Sequence, residues 1–531
     1  MTWRTVLALA AGLTLGSTPL RAAESEGPVI ASLDTAAKGP TISRDIFGQF
    51  AEMLGEGIYG GVWVGPDSKI PNVRGIRSDV VGALKALKVP NVRWPGGCYG
   101  DQYHWRDGVG PRRQSRINAN WGGSAEPNTF GTHEFMDFVE QIGSEAYISV
   151  NMGSGTVQEA ADWLEYMTAQ DSTLGRERAA NGRAKPWKLK FVGLGNEMWG
   201  CGGGLTADEY VGRMKPFALF LNNYHPEQRP ANPFVPNPNR TQRIAAAEGL
   251  GKPEYTEAIM KARQGTFQFG WGIEGLSLHN YVAPTTTPLV DSSIDFGEKE
   301  YAGLLAKSYS TERMVADHSA IMDKYDPGKQ VFMAVDEWGA WLKPLPEKPM
   351  MFLRQQNSLR DALSAAIHLN GFARHADRVK MANIAQMVNV IQAMILTDGD
   401  KMLLTPTYHV FRMYVPFQDA TLVPVAIDAG TYRFGESVVP RVDAVAARAR
   451  DDSIWLALVN TDPARPVTVT PAGITARRAT GDVLTAGAVS AINTFAAPDT
   501  VSPRPYVAAA KGGKLSLTLA PKSLTVVRLE P

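Results

Sequence analysis

Residues 190–199 read KFVGLGNEMW, a short apolar strand that ends in Asn196-Glu197. A second stretch, QVFMAVDEWG at residues 330–339, has the same form and ends in Asp336-Glu337. A glutamate placed directly after a buried strand leaves bulk water, which is costly unless the carboxylate has a partner. Two strands that both end this way indicate a parallel sheet whose carboxyl ends meet at one polar site.

Further apolar strands lie on both sides of these two and alternate with helical patterns. Such an alternation predicts an α/β fold, the (β/α)8 or TIM barrel, in which Glu197 and Glu337 end the fourth and seventh strands. The eight predicted strands are Ile46–Met53, Asn91–Trp94, Ala146–Val150, Lys190–Leu194, Arg243–Ala247, Gly275–His279, Gln330–Val335 and Met381–Met387.

The predicted helices carry start signals. Thr156-Val-Gln-Glu159 and Thr206-Ala-Asp-Glu209 have the spacing of capping boxes, in which hydroxyl and carboxylate bind free backbone N–H groups. Residues 175–186 and 225–242 are rich in Pro, Asn and Arg, which predicts surface loops.

The sequence pattern changes after about residue 417, where short apolar segments such as Ser453–Val459 alternate with turns. This pattern predicts a C-terminal β-sandwich. A strand-like segment before the barrel is expected to pair into this sandwich. The predicted organisation is a signal peptide at 1–23, the N-terminal strand segment at 24–45, the barrel at 46–416 and the sandwich at 417–531.

The N-terminus has the features of a secretory signal. Arg4 precedes the apolar run Val6–Leu15, and Leu20-Arg-Ala-Ala23 resembles a cleavage site. The run is shorter than the roughly 20 residues that span a bilayer. We therefore expect a secreted or periplasmic protein.

The overall charge is nearly balanced, with 54 Lys and Arg against 53 Asp and Glu among 531 residues. A balanced charge provides no bulk attraction to nucleic acid or to a membrane, so neither partner is expected. It favours a neutral substrate. Hydrophobic residues make up 44 % of the chain, as in ordinary globular enzymes.

Paired glutamates at the ends of two barrel strands are the residues that glycoside hydrolysis requires. One carboxyl protonates the leaving oxygen, and the other attacks or stabilises the oxocarbenium-like centre. Asn196 beside Glu197 strengthens this interpretation. Two further strand endings are also polar, Arg93-Trp-Pro-Gly-Gly-Cys98 and Ser277-Leu-His-Asn-Tyr281.

Taken with the barrel, these motifs resemble the retaining (β/α)8 glycosidases, and among them the α-L-arabinofuranosidases of glycoside hydrolase family 51. The resemblance runs in order from about residue 46 to residue 414, and the family joins a (β/α)8 barrel to a β-sandwich. The motifs that carry it are Gly48-Gln-Phe-Ala-Glu52, Ile58-Tyr-Gly-Gly61, Arg93-Trp-Pro-Gly-Gly97, Gly195-Asn-Glu197, Asp336-Glu-Trp-Gly339, Ala382-Asn-Ile-Ala-Gln386 and Pro406-Thr-Tyr-His409.

The resemblance implies a role for each matching residue. Glu197 matches the general acid/base and Glu337 the nucleophile of a retaining, exo-acting enzyme that needs no cofactor or metal. Asn196 is expected to bind the sugar 2-hydroxyl. The remaining residues implied to bind the substrate, an arabinose-containing oligosaccharide or polysaccharide, are Glu52, Arg93, Cys98, Tyr281 and Gln386.

Two departures from the family bear on substrate preference. Cys98 stands where well-known members have Asn, and Met53 stands where many have His. For Glu52, a buried ion pair with Arg93 is an alternative role that is compatible with the first.

Other functions are weighed against this one. Another retaining glycosidase of the same clan, such as an endo-β-glucanase, would have an open cleft in place of a pocket. A non-catalytic carbohydrate-binding barrel would not need both glutamates. A zinc site of Cys98, Cys201 and His104 is the weakest alternative. The sequence leaves homo-oligomer formation open.

Cys98 and Cys201 are the only two cysteines. Both are predicted to lie in loops on the catalytic face, one after the second strand and one shortly after Glu197. Because the predicted signal peptide sends the protein to an oxidising compartment, where paired thiols tend to oxidise, we expect the pair to meet at the pocket rim, either as a disulfide or as separate buried thiols.

Overall fold

The structure is a computed structural model that describes residues 29–232, 235, 237–248, 252–264, 272–285 and 288–531. The predicted signal peptide at residues 1–23 lies outside the described residues, as does the beginning of the segment 24–45.

The strands and helices are labelled in chain order. The strands are β1 (Val29–Leu33), β2 (Gly48–Phe50), β3 (Asn72–Val73), β4 (Ile76–Arg77), β5 (Asn91–Trp94), β6 (Arg116–Asn118), β7 (Ser124–Glu126), β8 (Glu145–Val150), β9 (Phe191–Leu194), β10 (Gln242–Ala246), β11 (Gly275–Val282), β12 (Phe332–Ala340), β13 (Val379–Ala385), β14 (Ile395–Asp398), β15 (Lys401–Leu404), β16 (Thr421–Val423), β17 (Val425–Ile427), β18 (Thr431–Phe434), β19 (Ser437–Pro440), β20 (Val442–Arg448), β21 (Ile454–Asn460), β22 (Val467–Ala472), β23 (Arg478–Leu484), β24 (Arg504–Ala509), β25 (Leu517–Leu519) and β26 (Ser523–Glu530). The α-helices are α1 (Ser78–Leu87), α2 (Thr132–Ile142), α3 (Val157–Thr168), α4 (Thr173–Ala180), α5 (Ala207–Phe220), α6 (Glu254–Gln264), α7 (Glu298–Tyr325), α8 (Leu359–Arg374) and α9 (Pro406–Met413). Short 3-10 helices cover Arg44–Phe47, Cys98–Gln102, Trp105–Gly108, Met350–Phe352 and Val415–Phe417.

Eight parallel strands close into a barrel in the order β2-β5-β8-β9-β10-β11-β12-β13. The predicted TIM barrel and all eight of its strands are confirmed, with ends that differ by a few residues. The largest difference is at β12, which continues to Ala340 because it pairs with β11 as far as Val282. Asp336 and Glu337 therefore lie inside this strand instead of following it.

Of the two predicted capping boxes, the one at α5 forms as the local sequence indicates, whereas a tertiary contact changes the one at α3. Thr206 and Glu209 form the predicted capping box of α5. At α3, Thr156 accepts a hydrogen bond from the Glu159 N–H, but the Glu159 carboxylate contacts Nδ1 of His104. The second capping box is therefore only half formed.

The prediction of a loop at residues 175–186 is wrong in its first half, where the chain forms α4. The buried Arg178 explains the helix, because its guanidinium donates hydrogen bonds to the carbonyls of Tyr166 and Ala169. Composition could not reveal this contact with the end of α3. Among the described residues, no helix is both long and apolar enough to cross a membrane.

The C-terminal region is a β-sandwich, as predicted. One sheet has the order β16-β20-β21-β26-β23-β24, and the facing sheet has the order β17-β1-β22-β25. The N-terminal strand β1 thus joins the sandwich, pairing antiparallel with β17 and parallel with β22. Ala31 and Leu33 of β1 are buried in the apolar core between the sheets.

Helix α8 joins the sandwich to the barrel. It is buried along nearly its whole length and contacts β12 and β13 of the barrel as well as β20 and β21 of the sandwich. At its end, Arg374 forms ion pairs with Glu312 on α7 and with Asp443 on β20. The two units therefore share packed structure.

We expect Leu33→Ala to destabilise the protein by about 2–5 kcal/mol, the usual effect of truncating a buried leucine. Leu33 is 4 % exposed, whereas Ile30 on the opposite face of β1 is 45 % exposed. Ile30→Ala is the matched control and should stay within about 0.5 kcal/mol of the parent. Chemical denaturation monitored by circular dichroism measures both. Equal effects of the two substitutions would contradict the packing of β1.

Candidate active site

The two predicted glutamates meet at the carboxyl end of the barrel. Glu197 follows β9, and Glu337 lies near the end of β12. One carboxylate oxygen of each glutamate and a ring nitrogen of His279 all lie within 4.8 Å of one another. This separation is close to the roughly 5–5.5 Å of retaining pairs and shorter than the roughly 6.5–9.5 Å of inverting pairs. The side chain of Glu197 is 26 % exposed and that of Glu337 only 6 %.

Glu337 is held by two donors. Nη1 of Arg93 donates to its Oε1 at 2.5 Å, and the hydroxyl of Tyr281 donates to its Oε2 at 2.8 Å. Burial raises the pKa of Glu337, as does the charge of Glu197, while His279 and Arg93 oppose the rise. The carboxylate therefore has a fixed orientation with one oxygen bound on each side.

Arg93 lies behind the pocket rather than in its wall. It is 1 % exposed, and its Nη2 donates to Oδ1 of Asn196 at 2.6 Å. Its Nε lies 3.4 Å from Oδ2 of Asp336. Arg93 was predicted to contact the substrate, but it does not line the pocket. The alternative ion pair with Glu52 is not formed either, because Arg93 pairs with Glu337 and Asp336.

His279 lies among three carboxylates. Its Nδ1 is 2.9 Å from Glu197 and 3.6 Å from Glu337, and its Nε2 is 3.4 Å from Asp336. Burial opposes a charge on the ring, but the three acidic neighbours raise the pKa of His279 to about 10. His279 is thus a buried cation at neutral pH.

Asp336 anchors this cluster from below. It is fully buried and accepts hydrogen bonds from the hydroxyls of Tyr147 and Ser277 at 2.6 and 2.5 Å. Burial alone would raise its pKa, but Arg93, His279 and Ser277 together hold it at about 2. Asp336 is therefore a permanent anion that offsets one of the two buried cations.

Glu52 forms the opposite wall of the pocket. Its carboxylate accepts hydrogen bonds from the Tyr99 N–H at 3.0 Å, from Nε1 of Trp121 at 2.9 Å and from Nε2 of Gln386 at 3.3 Å. Burial and the charge of Glu337 raise the pKa of Glu52 to about 7. A carboxyl that changes charge near neutral pH can either donate to or accept from a bound hydroxyl.

The pocket itself is a small cavity lined by both glutamates. Of the predicted site residues, all except Arg93 are in its wall. Its lining consists of Glu52, Gly97, Cys98, Trp121, Asn196, Glu197, Tyr281, Glu337, Trp341, Leu353, Gln386 and Ile391.

Sequence reasoning missed several residues of this site, among them His279, Trp121 and Trp341. His279 stands in the strand ending quoted above, two residues before Tyr281, and that position was its signal. Trp121 comes from the turn of the β6–β7 hairpin, and Trp341 directly follows β12. The tryptophans carry no local signal, because only the fold of their loops brings them to the pocket.

Cys98 and Cys201 form a disulfide, with their Cα atoms 5.5 Å apart. The bridge connects the loop after β5 with the loop after β9, passing over the end of β8. Sγ of Cys201 lies 3.6 Å from Oε2 of Glu197. The predicted meeting at the pocket rim is confirmed, and the zinc alternative is not, because both thiols are paired and His104 contacts Glu159.

Comparison with known protein families gives two matches. Residues 83–237 match the model of the α-L-arabinofuranosidase 1 domain, and residues 336–523 match that of the α-L-arabinofuranosidase C-terminal domain. An intracellular exo-α-L-arabinofuranosidase of Bacteroides ovatus is 41 % identical over 496 residues, which cover 92 % of this chain and 93 % of that protein.

Solved structures give the same result. A GH51 arabinofuranosidase from Xanthomonas axonopodis pv. citri is 45 % identical with a TM-score of 0.89, covering 95 % of this chain and all of that one. An α-L-arabinofuranosidase from Thermotoga maritima, solved in complex with arabinose, is 30 % identical with a TM-score of 0.80, covering 95 % of this chain and all of that one.

The Bacteroides ovatus relative corrects one prediction. That protein, which matches nearly the whole chain, is named as intracellular. The prediction of a secreted or periplasmic protein, made from the charge and apolar run at residues 1–23, is therefore wrong. A short apolar run with one basic residue is too weak a pattern to establish export.

The charge on His279 should make stability depend on pH. Its pKa is raised from 6.5 to about 10, so its contribution is complete below pH 6.5 and is lost as pH rises through about 10. We expect the Tm difference between the parent and His279→Asn to be largest near pH 6.5 and to shrink steadily toward pH 10. Thermal unfolding across this range measures it.

His368→Asn is the matched control. His368 is also buried, but burial lowers its pKa to about 4, so it stays neutral throughout the same pH range. Its Tm difference from the parent should be constant between pH 7 and pH 10. A constant difference for His279→Asn as well would show that the ring carries no charge in the folded protein.

Proposed function

The chain belongs to the α-L-arabinofuranosidases of glycoside hydrolase family 51, and we propose that it releases terminal α-L-arabinofuranosyl groups from plant oligosaccharides or polysaccharides with retention of configuration. Glu197 is the general acid/base and Glu337 the nucleophile. The observation that carries the mechanism is the close approach of these two carboxylates, within 4.8 Å, at the wall of one small pocket.

In the first step Glu337 attacks the anomeric carbon of the bound sugar. The bond between that carbon and the glycosidic oxygen breaks, and Glu197 gives its proton to the departing oxygen. The products are an alcohol and an ester that links the sugar to Glu337. Arg93 and Tyr281 bind one oxygen of Glu337 each, which orients the carboxylate for attack.

In the second step Glu197, now ionised, removes a proton from water. The water oxygen attacks the anomeric carbon, and the ester bond to Glu337 breaks. Arg93 and Tyr281 stabilise the carboxylate as it departs. His279 contacts Glu197 from the side opposite bulk water, so its charge assists Glu197 when it acts as an anion.

The other pocket residues bind the sugar ring. Oδ1 of Asn196 is already occupied by Arg93, which leaves the Nδ2 amide group to donate to the 2-hydroxyl. Glu52 and Gln386 supply acceptors and a donor for the remaining hydroxyls. Cys98 contributes apolar surface where other members have an asparagine. We assign Arg93 to positioning of Glu337 and Asn196.

The size of the pocket favours exo-action. A small cavity whose wall is built from the ends of several strands and their loops suits one terminal sugar better than a chain of several. An endo-β-glucanase needs an open cleft that admits a polysaccharide chain. We further propose that residues 46–416 form the catalytic unit and residues 417–531 the sandwich, to which residues 24–45 contribute a strand.

Methanol trapping tests the reaction. If the enzyme cleaves 4-nitrophenyl α-L-arabinofuranoside in aqueous methanol by double displacement, proton NMR should show methyl α-L-arabinofuranoside. The methyl glycoside does not mutarotate, so its configuration records the stereochemistry. Formation of the methyl β-L-arabinofuranoside would establish inversion, and lack of any cleavage would contradict the proposed activity.

Substitution of each glutamate tests the two roles. We expect Glu337→Ala to lower kcat by about 10⁴-fold or more on every arabinofuranoside, since no leaving group can replace the nucleophile. Glu197→Ala should lower kcat by about 10²–10⁴-fold on an arabinofuranosyl xylo-oligosaccharide and much less on the activated aryl substrate. Azide should accelerate this variant by attacking the ester without a base.

Glu140→Ala, on the exposed surface of α2, is the control for the loss of a glutamate and should leave both activities unchanged. If the two active-site variants had the same loss on aryl and natural substrates, the assignment of acid/base and nucleophile would have to be abandoned.

A further inference from the structure

Asp101 lies beneath the loop that follows β9, and none of the steps above uses it. It belongs to the 3-10 helix at residues 98–102 and is 5 % exposed. Its carboxylate accepts three backbone hydrogen bonds. Oδ1 accepts from the N–H groups of Met152 and Gly153 at 2.8 and 2.9 Å, and Oδ2 accepts from the N–H of Asn196 at 2.8 Å. One carboxylate thus joins the loops after β5, β8 and β9.

The backbone around Asn196 needs such a restraint. Glu197 has a φ angle of 41° and Gly195 has one of 79°, so left-handed residues stand on both sides of Asn196. For glutamate this conformation costs on the order of 1 kcal/mol and persists only where the surroundings enforce it. The peptide N–H between the two left-handed residues is the one that Asp101 holds.

The surrounding backbone packs directly against Asp101. A Cβ atom on Gly202 would lie 2.8 Å from Oδ2 of Asp101, and a Cβ atom on Gly153 would lie 2.8 Å from Cβ of Asp101. Such distances are too short for real contacts, so both positions need glycine. The loop after β9 therefore wraps around the carboxylate, and its path past Glu197 depends on the shape and charge of this side chain.

We propose that Asp101 is a positioning residue for the acid/base, which holds the Asn196-Glu197 backbone in its left-handed turn so that the Glu197 carboxyl faces the glycosidic oxygen. The proposal rests on the proposed function of Glu197. Asp101 itself is not in the pocket wall and touches no substrate.

The chemistry requires a carboxylate in particular. All three backbone partners are donors, and the ionised form of aspartate offers acceptors on both of its oxygens. Burial raises the pKa of Asp101 to about 7, and the three backbone N–H groups oppose this rise because they bind the ionised form. Asparagine has nearly the same shape, but its NH₂ group would replace one of the two oxygens. That group is itself a donor and would face the backbone N–H groups that the oxygen accepts in the parent. The disulfide next to it ties Cys201 to Cys98 but makes no contact with the N–H of Asn196, so it does not replace Asp101.

Asp101→Asn tests the proposal through the dependence on the leaving group. Displacement of a catalytic group by about 1 Å can cost about 100-fold in rate. We expect Asp101→Asn to lower kcat by about 100-fold on an arabinofuranosyl xylo-oligosaccharide and by less than about 10-fold on 4-nitrophenyl α-L-arabinofuranoside. Azide should accelerate turnover of the aryl substrate, as for a defect at Glu197 itself.

Asp462→Asn is the matched control. Asp462 is also buried and accepts hydrogen bonds from the N–H groups of Ala464 and Arg465, but it lies in the sandwich. It should lower Tm and leave the ratio of the two activities unchanged. All rates are expressed per folded enzyme, with the folded fraction measured by circular dichroism. Asp101→Ser, which retains one acceptor, is the second variant and should alter the ratio in the same direction.

Either of two results would overturn this inference and leave the proposed function intact. The first is an equal loss of kcat on both substrates without an azide response, and the second is full activity of Asp101→Asn. If neither Asp101 variant folds, the residue serves folding and the inference is also overturned. A parent enzyme that cleaves neither substrate would instead overturn the proposed function, and the positioning role with it.

Discussion

The active site depends above all on one buried guanidinium, that of Arg93. A cation that is removed almost completely from water is costly unless every face of it is paired. Arg93 meets this demand with Glu337 and Asp336 from one other barrel strand, β12, and with Asn196 from the loop after β9. Closing the barrel is what brings these partners together. The pairing in turn orients the nucleophile and the amide that precedes the acid/base.

The charges of the site form a nearly balanced set. Arg93 and His279 are cations, and Asp336 is an anion at all ordinary pH values, so a single further negative charge on Glu337 makes the cluster neutral. His279 lies 2.9 Å from Glu197, so its charge stabilises Glu197 in the proposed steps where this side chain is an anion. A retaining mechanism needs an acid that becomes a base within one cycle, and this arrangement provides for both states.

The backbone of the acid/base loop is supported from several directions. Asp101 accepts the Asn196 N–H, the disulfide ties Cys201 to Cys98, and the carbonyl of Glu197 accepts from the N–H groups of Gly200 and Gly202. Asp101, Gly200 and Gly202 do not line the pocket, whereas Cys98 does. These supports explain how an exposed loop residue with a left-handed backbone can still present its side chain accurately.

Local sequence by itself determined the eight barrel strands, the β-sandwich, the capping box of α5 and the two glutamates. Each of these features follows from a local pattern: the spacing of hydrophobic residues, the presence of turn residues, or a polar residue at a strand end. Such patterns involve only a few neighbouring positions in the chain. Only the tertiary structure decided the partners of Arg93, the charge of His279, the tryptophans of the pocket wall and the backbone contacts of Asp101. These contacts join residues far apart in the chain, as Arg93 and Glu337 are, and no local pattern encodes which distant side chains the closed barrel will bring within hydrogen-bonding distance.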